Sequence, residues 1–557
     1  MKNLPLIISK IENFFSLEAN QLIILLIILL AFYGNTVFNG FVHDDRAEIV
    51  KNKYLHSGEY WGKIFTGCTR ELQLEGCWGK GFYYRPIKIA SNFVAYRISS
   101  SPWIFHLFNI VYVYILAVLL LRFYTFFLKN KITAFCSVLL FLTHPINTEV
   151  VNWISASQET LMAIFALLSF QYYLKYHTER KSGHLLISSL FFLGTMFSKE
   201  TGVFLILVFL GYELFQKRSL DIFKATIKNY QLILFYVVPI LIYFFSRYLV
   251  LGTFFTNDIL RNTRDISFAT HLQTSVWLFG AYFSKLFLPL PLNIFHSIDI
   301  SKLPVQGILF SVLLLFSFLV ALFFSFRKKE IVPFLGLLWW LTFISVPVIF
   351  IGALGRNILA ERYLFVTSVG IILVFTYVIQ RWMDKKRQYF NKPLVKIAVF
   401  LSIILYLAIT WKIDFMRSKD FKDNIALYKA TIKYSPNNAD LYYNLALSYS
   451  DIQDVANATY YYKKAVEVDP QDYRSHNNLG TIYLSAGDLG SAEREYKLAI
   501  DANPRLYAVY YNLANVYIKL NDFDRAIWAL KKTLELKPDL VQARQKIERL
   551  IKEGQAH

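Results

Sequence analysis

The chain has 557 residues, of which 55% are hydrophobic and 17% aromatic, and its formal net charge is +20. This composition excludes an ordinary soluble globular protein and is typical of a membrane protein. The basic excess would suit a nucleic-acid-binding protein. Residues 414–557, however, carry 20 Lys and Arg against 19 Asp and Glu, a net charge of +1, so the remaining +19 belongs to the apolar residues 1–413. Basic residues flanking membrane spans explain that distribution, and we expect no nucleic-acid partner.

Apolar segments long enough to cross a bilayer follow one another as far as Trp411. The sequence predicts helices at roughly 20–40, 103–124, 132–151, 157–175, 184–198, 201–215, 231–250, 270–290, 306–326, 331–350, 359–380 and 393–412. Basic clusters mark five of the connections: Arg122/Lys129/Lys131, Lys175/Arg180/Lys181, Lys217/Arg218/Lys224/Lys228, Arg327/Lys328/Lys329 and Arg381/Lys385/Lys386/Arg387. The positive-inside tendency places all five in the cytoplasm.

That placement requires an even number of crossings between Lys228 and Arg327, where three apolar segments lie. The segment 270–290 contains His271, Gln273 and Lys285, so we predict that it is a re-entrant or surface helix. About eleven spans then remain. We therefore expect a multi-pass inner-membrane protein with its N-terminus inside, the loop 41–102 external and the C-terminal part in the periplasm.

The C-terminal part repeats itself every 34 residues. The repeated positions are Pro436, Pro470, Pro504 and Pro538, and the strings YNLA, NNLG and YNLA that begin at Tyr443, Asn477 and Tyr511. This period resembles the tetratricopeptide repeat (TPR), a helix–turn–helix unit. We predict repeats at about 437–470, 471–504 and 505–538, with a capping helix at 539–553. The whole chain is then all-α: a membrane helix bundle over 1–413, followed by a TPR α-solenoid over 414–557.

An acidic pair, Asp44-Asp45, stands at the start of the predicted external loop. A carboxylate at a membrane surface can serve glycosyl transfer, because it takes the proton from an acceptor hydroxyl that attacks an anomeric carbon. The structural alternative is a solvated turn that ends a helix. Cys68 and Cys77 share the same loop and would pair if it faces an oxidising compartment.

Several short strings follow this pair, and their order resembles one family. They are Tyr84-Arg85-Pro86, Phe105-His106-Leu107-Phe108-Asn109, His144-Pro145-Ile146-Asn147-Thr148-Glu149, Ser198-Lys199-Glu200-Thr201 and Ala360-Glu361-Arg362-Tyr363-Leu364. With TPRs after the last span, they resemble the transmembrane and TPR-containing protein O-mannosyltransferases, which are GT-C-type glycosyltransferases. The resemblance implies transfer of a sugar, expected to be mannose, from a polyprenyl phosphate to a hydroxyl on a protein or glycan at the external face. His43 departs from the aromatic residue usual in eukaryotic members.

Carried over to this chain, the resemblance makes Asp44 or Asp45 the general base, with Asp45 slightly favoured. The departing phosphate needs cations near the membrane surface, and the candidates are Arg85, Lys199 and Arg362. The residues expected to support them or to position the acceptor are His144, Glu149, Glu200 and Glu361. The structural alternative is a set of ion pairs that hold helices together, such as Arg362 with Glu361. We expect no metal and no cofactor, since a monophosphate donor needs less charge neutralisation than a pyrophosphate.

Two other classes of protein remain open. O-antigen ligases and polymerases are also polytopic, but they act through Arg/His-rich external loops late in the membrane domain, whereas the large loop here is the first. A non-enzymatic membrane scaffold would use the TPR surface to recruit a protein partner. Such a scaffold would hardly need eleven spans or charged residues at their outer ends.

Overall fold

The structure is a computed structural model that describes residues 13–56, 62, 64–67, 83–217, 230–254, 267–296, 298–350 and 358–554. Within these ranges the chain forms helices and no strands, which confirms the all-α prediction. Two compact units are present, Met1–Asp423 and Asn424–His557. The predicted boundary at 413/414 falls inside a helix that continues to Asp420. Cys68 and Cys77 lie outside the described residues.

The first unit is a bundle of helices joined mostly by short connections. In chain order its helices are α1 Glu18–Tyr33, α2 Lys53–His56, α3 Pro86–Ile98, α4 Pro102–Leu128, α5 Lys131–Leu142, α6 Thr148–Asn152, α7 Ser157–Glu179, α8 Ser182–Ser198, α9 Leu205–Lys217, α10 Tyr230–Leu251, α11 Phe268–Phe287, α12 Val305–Lys328, α13 Ile331–Ile349, α14 Tyr363–Lys385, α15 Arg387–Phe390 and α16 Pro393–Asp420. Each of the twelve predicted apolar segments is helical.

The chain is a multi-pass membrane protein. Among the described residues, seven helices are long and apolar enough to span a bilayer, or eight if α5 and the segment 145–152 form one span bent by 52°. The predicted eleven spans also included α7, α8 and α9. On length and hydropathy those three do not qualify, because α8 and α9 have only 17 and 13 residues and α7 begins with the polar pair Gln158-Glu159.

Helix α11 corresponds to the segment predicted not to cross. Near its start, His271 Nε2 donates to the carbonyl of Ile349 at the end of α13, at 2.9 Å. Near its end, Leu286 accepts a hydrogen bond from the His144 ring at 2.8 Å. Both contacts involve the end of the bundle where α14 begins. A helix that does not cross the bilayer would show this arrangement.

Basic connections that are far apart in sequence meet at the opposite end of the bundle, which we call the basic end. Gln380, near the end of α14, donates to the carbonyl of Leu128, next to Lys129. Arg381 lies 4.0 Å from Glu330, which follows the cluster 327–329. The clusters of the α4–α5, α12–α13 and α14–α16 connections therefore share one end, as the positive-inside interpretation requires.

The second unit consists of paired helices. They are α17 Asn424–Ile432, α18 Ala439–Asp451, α19 Val455–Val468, α20 Tyr473–Ala486, α21 Leu489–Ala502, α22 Tyr507–Lys519, α23 Phe523–Leu536 and α24 Val541–Gly554. The second helix of each full repeat begins with the same N-cap, an aspartate whose side chain accepts a backbone N–H three residues later; these are Asp454, Asp488 and Asp522. The repeated helix pairs confirm the α-solenoid predicted for this part of the chain.

Candidate functional site

The acidic pair lies on a sharp turn between α1 and the following helical segment. His43 has a φ of +48°, in the left-handed region that residues other than glycine rarely adopt. The Asp44 side chain is 24% exposed, with one oxygen 3.5 Å from His43 Nε2. The His43 ring contacts Trp153 and Phe295, with centroids 5.7 and 5.1 Å apart. This strained turn presents Asp44 at the edge of an aromatic cluster.

Asp45 points the other way, into the protein, and is fully buried. One of its oxygens accepts from the backbone N–H of Val42 at 3.0 Å, and the other accepts from the N–H of Ser155 at 2.7 Å and from its hydroxyl. Burial raises the pKa of Asp45 to about 7, although these hydrogen bonds oppose the rise. These three hydrogen bonds indicate that Asp45 stabilises the turn.

A buried ion pair that the sequence analysis did not indicate lies next to this turn. Lys88 of α3 forms an ion pair with Glu48 and donates to the carbonyl of Ser155. Lys88 is only 1% exposed. Ser155 therefore joins the acidic turn to α3. The signal in the sequence was a lysine between two isoleucines in the first turn of α3.

Arg85 is held by Glu200, far away in the sequence. The guanidinium donates two bonds to the carboxylate, at 3.0 and 2.7 Å, and a third at 2.6 Å to the side chain of Gln158. Burial opposes ionisation of Glu200, but Arg85 outweighs it and lowers the pKa of Glu200 to about 2. The structure thus brings together two residues that the sequence had assigned to separate roles, as a bidentate pair.

Lys199 is also paired. It is 5% exposed, its ammonium group forms an ion pair with Glu159, and it lies 4.9 Å from the centroid of the Tyr363 ring. Burial lowers the pKa of Lys199 despite that partner. Buried pairs of this kind hold helices in register, here α7, α8 and α14.

Arg362 does not pair with Glu361, the neighbour named in the structural alternative, but with Glu149. Its NH1 donates to Glu149 at 2.7 Å, and its backbone N–H donates to the same carboxylate at 3.2 Å. The guanidinium carbon lies 5.5 Å from the Trp153 ring centroid. Consecutive residues at the start of a helix point in different directions, so Glu361 and Arg362 cannot face one another.

Glu361 faces a segment that the sequence analysis did not single out. His296 Nε2 lies 2.8 Å from one of its oxygens, Lys285 Nζ lies 3.5 Å away, and the N–H of Asn293 donates to the same oxygen at 3.2 Å. Burial opposes ionisation of Glu361, but His296, Lys285 and Arg417 keep its pKa below the ordinary value. Its second oxygen is buried without a hydrogen-bond partner among the described residues.

Arg417, in the last turn of α16, is the cation most clearly missed by the sequence analysis. It is 6% exposed, and its NH1 donates to Asp420 at 2.9 Å. Within the described part of the chain its buried NH2 has no hydrogen-bond partner. Its charge acts on both Glu149 and Glu361. An arginine at the outer end of the last apolar segment was the available signal.

His144 has a structural position at the break between α5 and α6. Its Nε2 donates to the carbonyl of Leu286 in α11, and its Nδ1 accepts from the N–H of Ile146 at 3.3 Å. The ring therefore caps the turn after α5 and ties it to α11. Among the described residues no group of three or more His, Cys, Asp or Glu side chains is arranged to hold a metal ion.

Taken together, the predicted site residues fall into two neighbouring groups at the end of the bundle opposite the basic end. One group is a set of buried ion pairs, Arg85 with Glu200 and Lys199 with Glu159. The other surrounds Trp153 and contains His43, Asp44 and Arg362, with the pair Glu361 and His296 nearby. The second group combines a partly exposed carboxylate with cations.

Known proteins resemble both units. Models described as tetratricopeptide repeat match residues 439–472, 461–494 and 483–547. Over 168 residues the chain is 30% identical to protein O-mannosyl-transferase TMTC3 of Homo sapiens. The aligned region covers 28% of this chain and 17% of that protein. Over 210 residues it is 34% identical to protein O-mannosyl-transferase TMTC1 of Homo sapiens, covering 33% and 22%.

A longer match extends over 458 residues of a protein O-mannosyl-transferase of Caenorhabditis elegans, with 26% identity, and covers 76% of this chain and 59% of the relative. Among solved structures, one of the MamA protein covers 25% of this chain and 76% of its own, with 28% identity and a TM-score of 0.23. The chain is therefore similar to the TMTC protein O-mannosyl-transferases, as its motifs indicate, and it spans less than two thirds of the length of these relatives.

Proposed function

We propose that this membrane relative of the TMTC protein O-mannosyl-transferases is a GT-C-type glycosyltransferase, which moves mannose from a polyprenyl-phosphate donor to a hydroxyl group on a protein. The observation that carries the proposal is the position of Asp44. Its carboxylate is partly exposed beside His43, whose ring contacts Trp153, and Arg362 approaches the same Trp153 ring, at the end of the bundle away from the basic connections. On the positive-inside interpretation this end is external.

Asp44 is the general base in this proposal, in preference to Asp45. A base must reach the proton that it takes, and the side chain of Asp44 is 24% exposed whereas Asp45 is fully enclosed. In the reaction Asp44 accepts the hydroxyl proton, the acceptor oxygen bonds to the anomeric carbon, and the bond from that carbon to the phosphate oxygen breaks. Polyprenyl phosphate leaves with the electron pair of that bond, and a single displacement inverts the anomeric centre.

The departing phosphate gains negative charge, so a cation must stabilise it. Arg85 and Lys199 are engaged with Glu200 and Glu159 and serve the proposal as supports. Arg362 is the better phosphate ligand, since Glu149 accepts from one of its two terminal nitrogens and a guanidinium can bind a second anion through the other. Arg417, whose NH2 has no partner among the described residues, is the second phosphate ligand that we propose.

The TPR unit completes the proposal as the surface that presents the acceptor protein. TPR superhelices expose a concave face to peptides and partner proteins. On the charge distribution of the connections, the protein lies in the cell inner membrane and the TPR unit in the periplasm. The reaction needs no cofactor beyond the lipid-linked sugar.

The test is transfer of labelled mannose from polyprenyl-phosphate mannose in membranes that contain the full chain at matched levels. Asp44→Asn should abolish transfer, because an amide cannot accept the proton. Asp45→Asn should retain measurable transfer per folded molecule. Transfer that survives in Asp44→Asn, or that is absent in the parent with every polyprenyl-phosphate sugar offered, would reject the proposal. Periplasmic proteolysis of the TPR unit in intact spheroplasts tests its side.

A further inference from the structure

Helix α16 stands apart from the bundle along much of its length. Only 6% of its most apolar 18-residue window is buried, compared with 72% for α13. Between α16 and the helices α5 and α14 lies a groove of about 830 Å³. Its walls are mostly apolar side chains, with Cys136 and Leu139 from α5, Phe375 from α14, and Val399 and Ile403 from α16 among them.

Basic side chains surround one end of this groove. Between residues 381 and 396 the chain has six cations and one acid, and they are Arg381, Lys385, Lys386, Arg387, Lys392 and Lys396 against Asp384. The short helix α15 lies within this basic segment, and two of its residues, Tyr389 and Phe390, line the end of the groove. The side chains of 385–387 are exposed. This is the basic end defined above by the contacts of Gln380 and Arg381.

Aromatic residues mark the level between the apolar groove and the cations. Trp382 and Tyr389 are 55% and 54% exposed, and the Trp382 and Phe390 rings pack with centroids 4.8 Å apart. Lys392 lies 5.7 Å from the Tyr389 ring centroid. Tyrosine and tryptophan collect where the hydrocarbon of a bilayer meets the headgroups. The cluster therefore lies at headgroup depth and the groove at acyl-chain depth.

We propose that this groove is a binding site for an anionic phospholipid of the leaflet at the basic end. An acyl chain lies between α5, α14 and α16, and the phosphate headgroup binds Lys385, Lys386 and Arg387. The mostly apolar walls favour an acyl chain over a polar ligand, and a volume of about 830 Å³ is large enough for one. Basic pockets between membrane helices attract anionic headgroups for electrostatic reasons, which a zwitterionic lipid does not satisfy.

The position of the groove separates it from the proposed reaction. The proposed base and phosphate ligands lie at the opposite end of the bundle, whereas the lysines and arginines of this site lie at the basic end. The lipid is thus a structural ligand that fills the space beside α16 and is distinct from the sugar donor.

The proposal can be tested by native mass spectrometry of the full chain, purified in detergent and supplied with equal amounts of phosphatidylglycerol and phosphatidylcholine that carry the same acyl chains. We expect the parent to retain phosphatidylglycerol at least tenfold more than phosphatidylcholine. The triple variant Lys385→Gln, Lys386→Gln, Arg387→Gln should lose that preference. A control with the same loss of charge at the end of α7 and in the α7–α8 connection, Lys175→Gln, Arg180→Gln, Lys181→Gln, should keep it.

A second pair of variants tests the groove and not only the charge. Ser402→Trp fills the groove from α16 and should reduce retained phosphatidylglycerol at least fivefold, whereas Leu405→Trp, on a residue that is 61% exposed outside the groove, should not. Equal retention of both lipids by the parent would overturn the proposal. So would retention unchanged by Ser402→Trp, or a lipid-free dimer that Ser402→Trp dissociates, which would assign the groove to a second copy of the chain.

Discussion

Arg362 and Glu149 are 213 positions apart in the sequence and form an ion pair of 2.7 Å at the centre of the candidate site. The carboxylate is 2% exposed and the arginine side chain 14%. The pair joins the broken segment after α5 to the start of α14. Removal of one partner would leave an uncompensated buried charge, which is far more costly than the net value of the pair.

We therefore expect Glu149→Gln to destabilise the protein by about 3–5 kcal/mol, the range for breaking a buried pair. Glu330→Gln is the matched control, since Glu330 pairs with Arg381 at the exposed basic end, where such contacts contribute about 0–1 kcal/mol. Thermal unfolding of the purified chain in one detergent measures both. Equal melting temperatures for the two variants would contradict a buried pair at the site.

Substitutions of Asp44 and of Asp45 should have different effects on stability and on sugar transfer. Asp45→Asn removes an acceptor from Val42 or Ser155 and should cost about 1–3 kcal/mol of stability, as for an unsatisfied buried group. Asp44→Asn should cost less stability than Asp45→Asn, because its side chain is 24% exposed, while it abolishes transfer. Melting and transfer measured on the same preparations distinguish the roles. The reverse pattern would make Asp45 the base.

Stability should also depend on pH through Asp45. Its pKa is raised by burial from 3.8 to about 7, so between these values the folded protein holds a proton that the unfolded chain has lost. The stability from this group is complete below pH about 4 and is lost as the pH rises to about 7. Melting temperatures of the parent should show this decline relative to Asp45→Asn, which cannot titrate. Parallel curves for the two proteins would contradict it.

Arg417 should matter for donor binding. Arg417→Gln removes a buried cation from the vicinity of Glu149 and Glu361, and we expect transfer to fall by about a hundredfold to a thousandfold, as for loss of one charge-stabilising group. Lys419→Gln, an exposed residue of the same helical turn, should have little effect. Initial rates at varied donor concentration measure both. Equal rates for the two variants would remove Arg417 from the proposed phosphate site.

The TPR unit offers a prediction from packing alone. A Cβ on Gly480 would approach the ring of Tyr496 to 2.8 Å, whereas a Cβ on Gly490 would have no neighbour closer than 4.0 Å. Gly480→Ala should therefore destabilise this unit by about 1–3 kcal/mol through overpacking. Gly490→Ala should stabilise it by up to about 1 kcal/mol through helix propensity. Hydrogen exchange of α20 and α21 in the full chain reports both effects.

The sequence determined the features that depend on local patterns. Hydropathy located the twelve apolar helices, and the 34-residue period located the repeats, because each requires only residues within one or two turns of helix or within one repeat. The order of the motifs identified the family resemblance. Length and hydropathy together did not settle the number of spans, since helices such as α8 and α9 have only 17 and 13 residues.

Only the tertiary structure determined which charged side chains form ion pairs with one another. Glu361 and Arg362 are adjacent in the sequence, yet they face different segments of the chain, and their partners are His296 and Glu149. Arg417 reaches the site because α16 returns to the end of the bundle where α1 finishes; there Ser418 bonds to Asn152. The physical reason is that an ion pair depends on the approach of whole helices and on the direction of each side chain, and a linear pattern records neither.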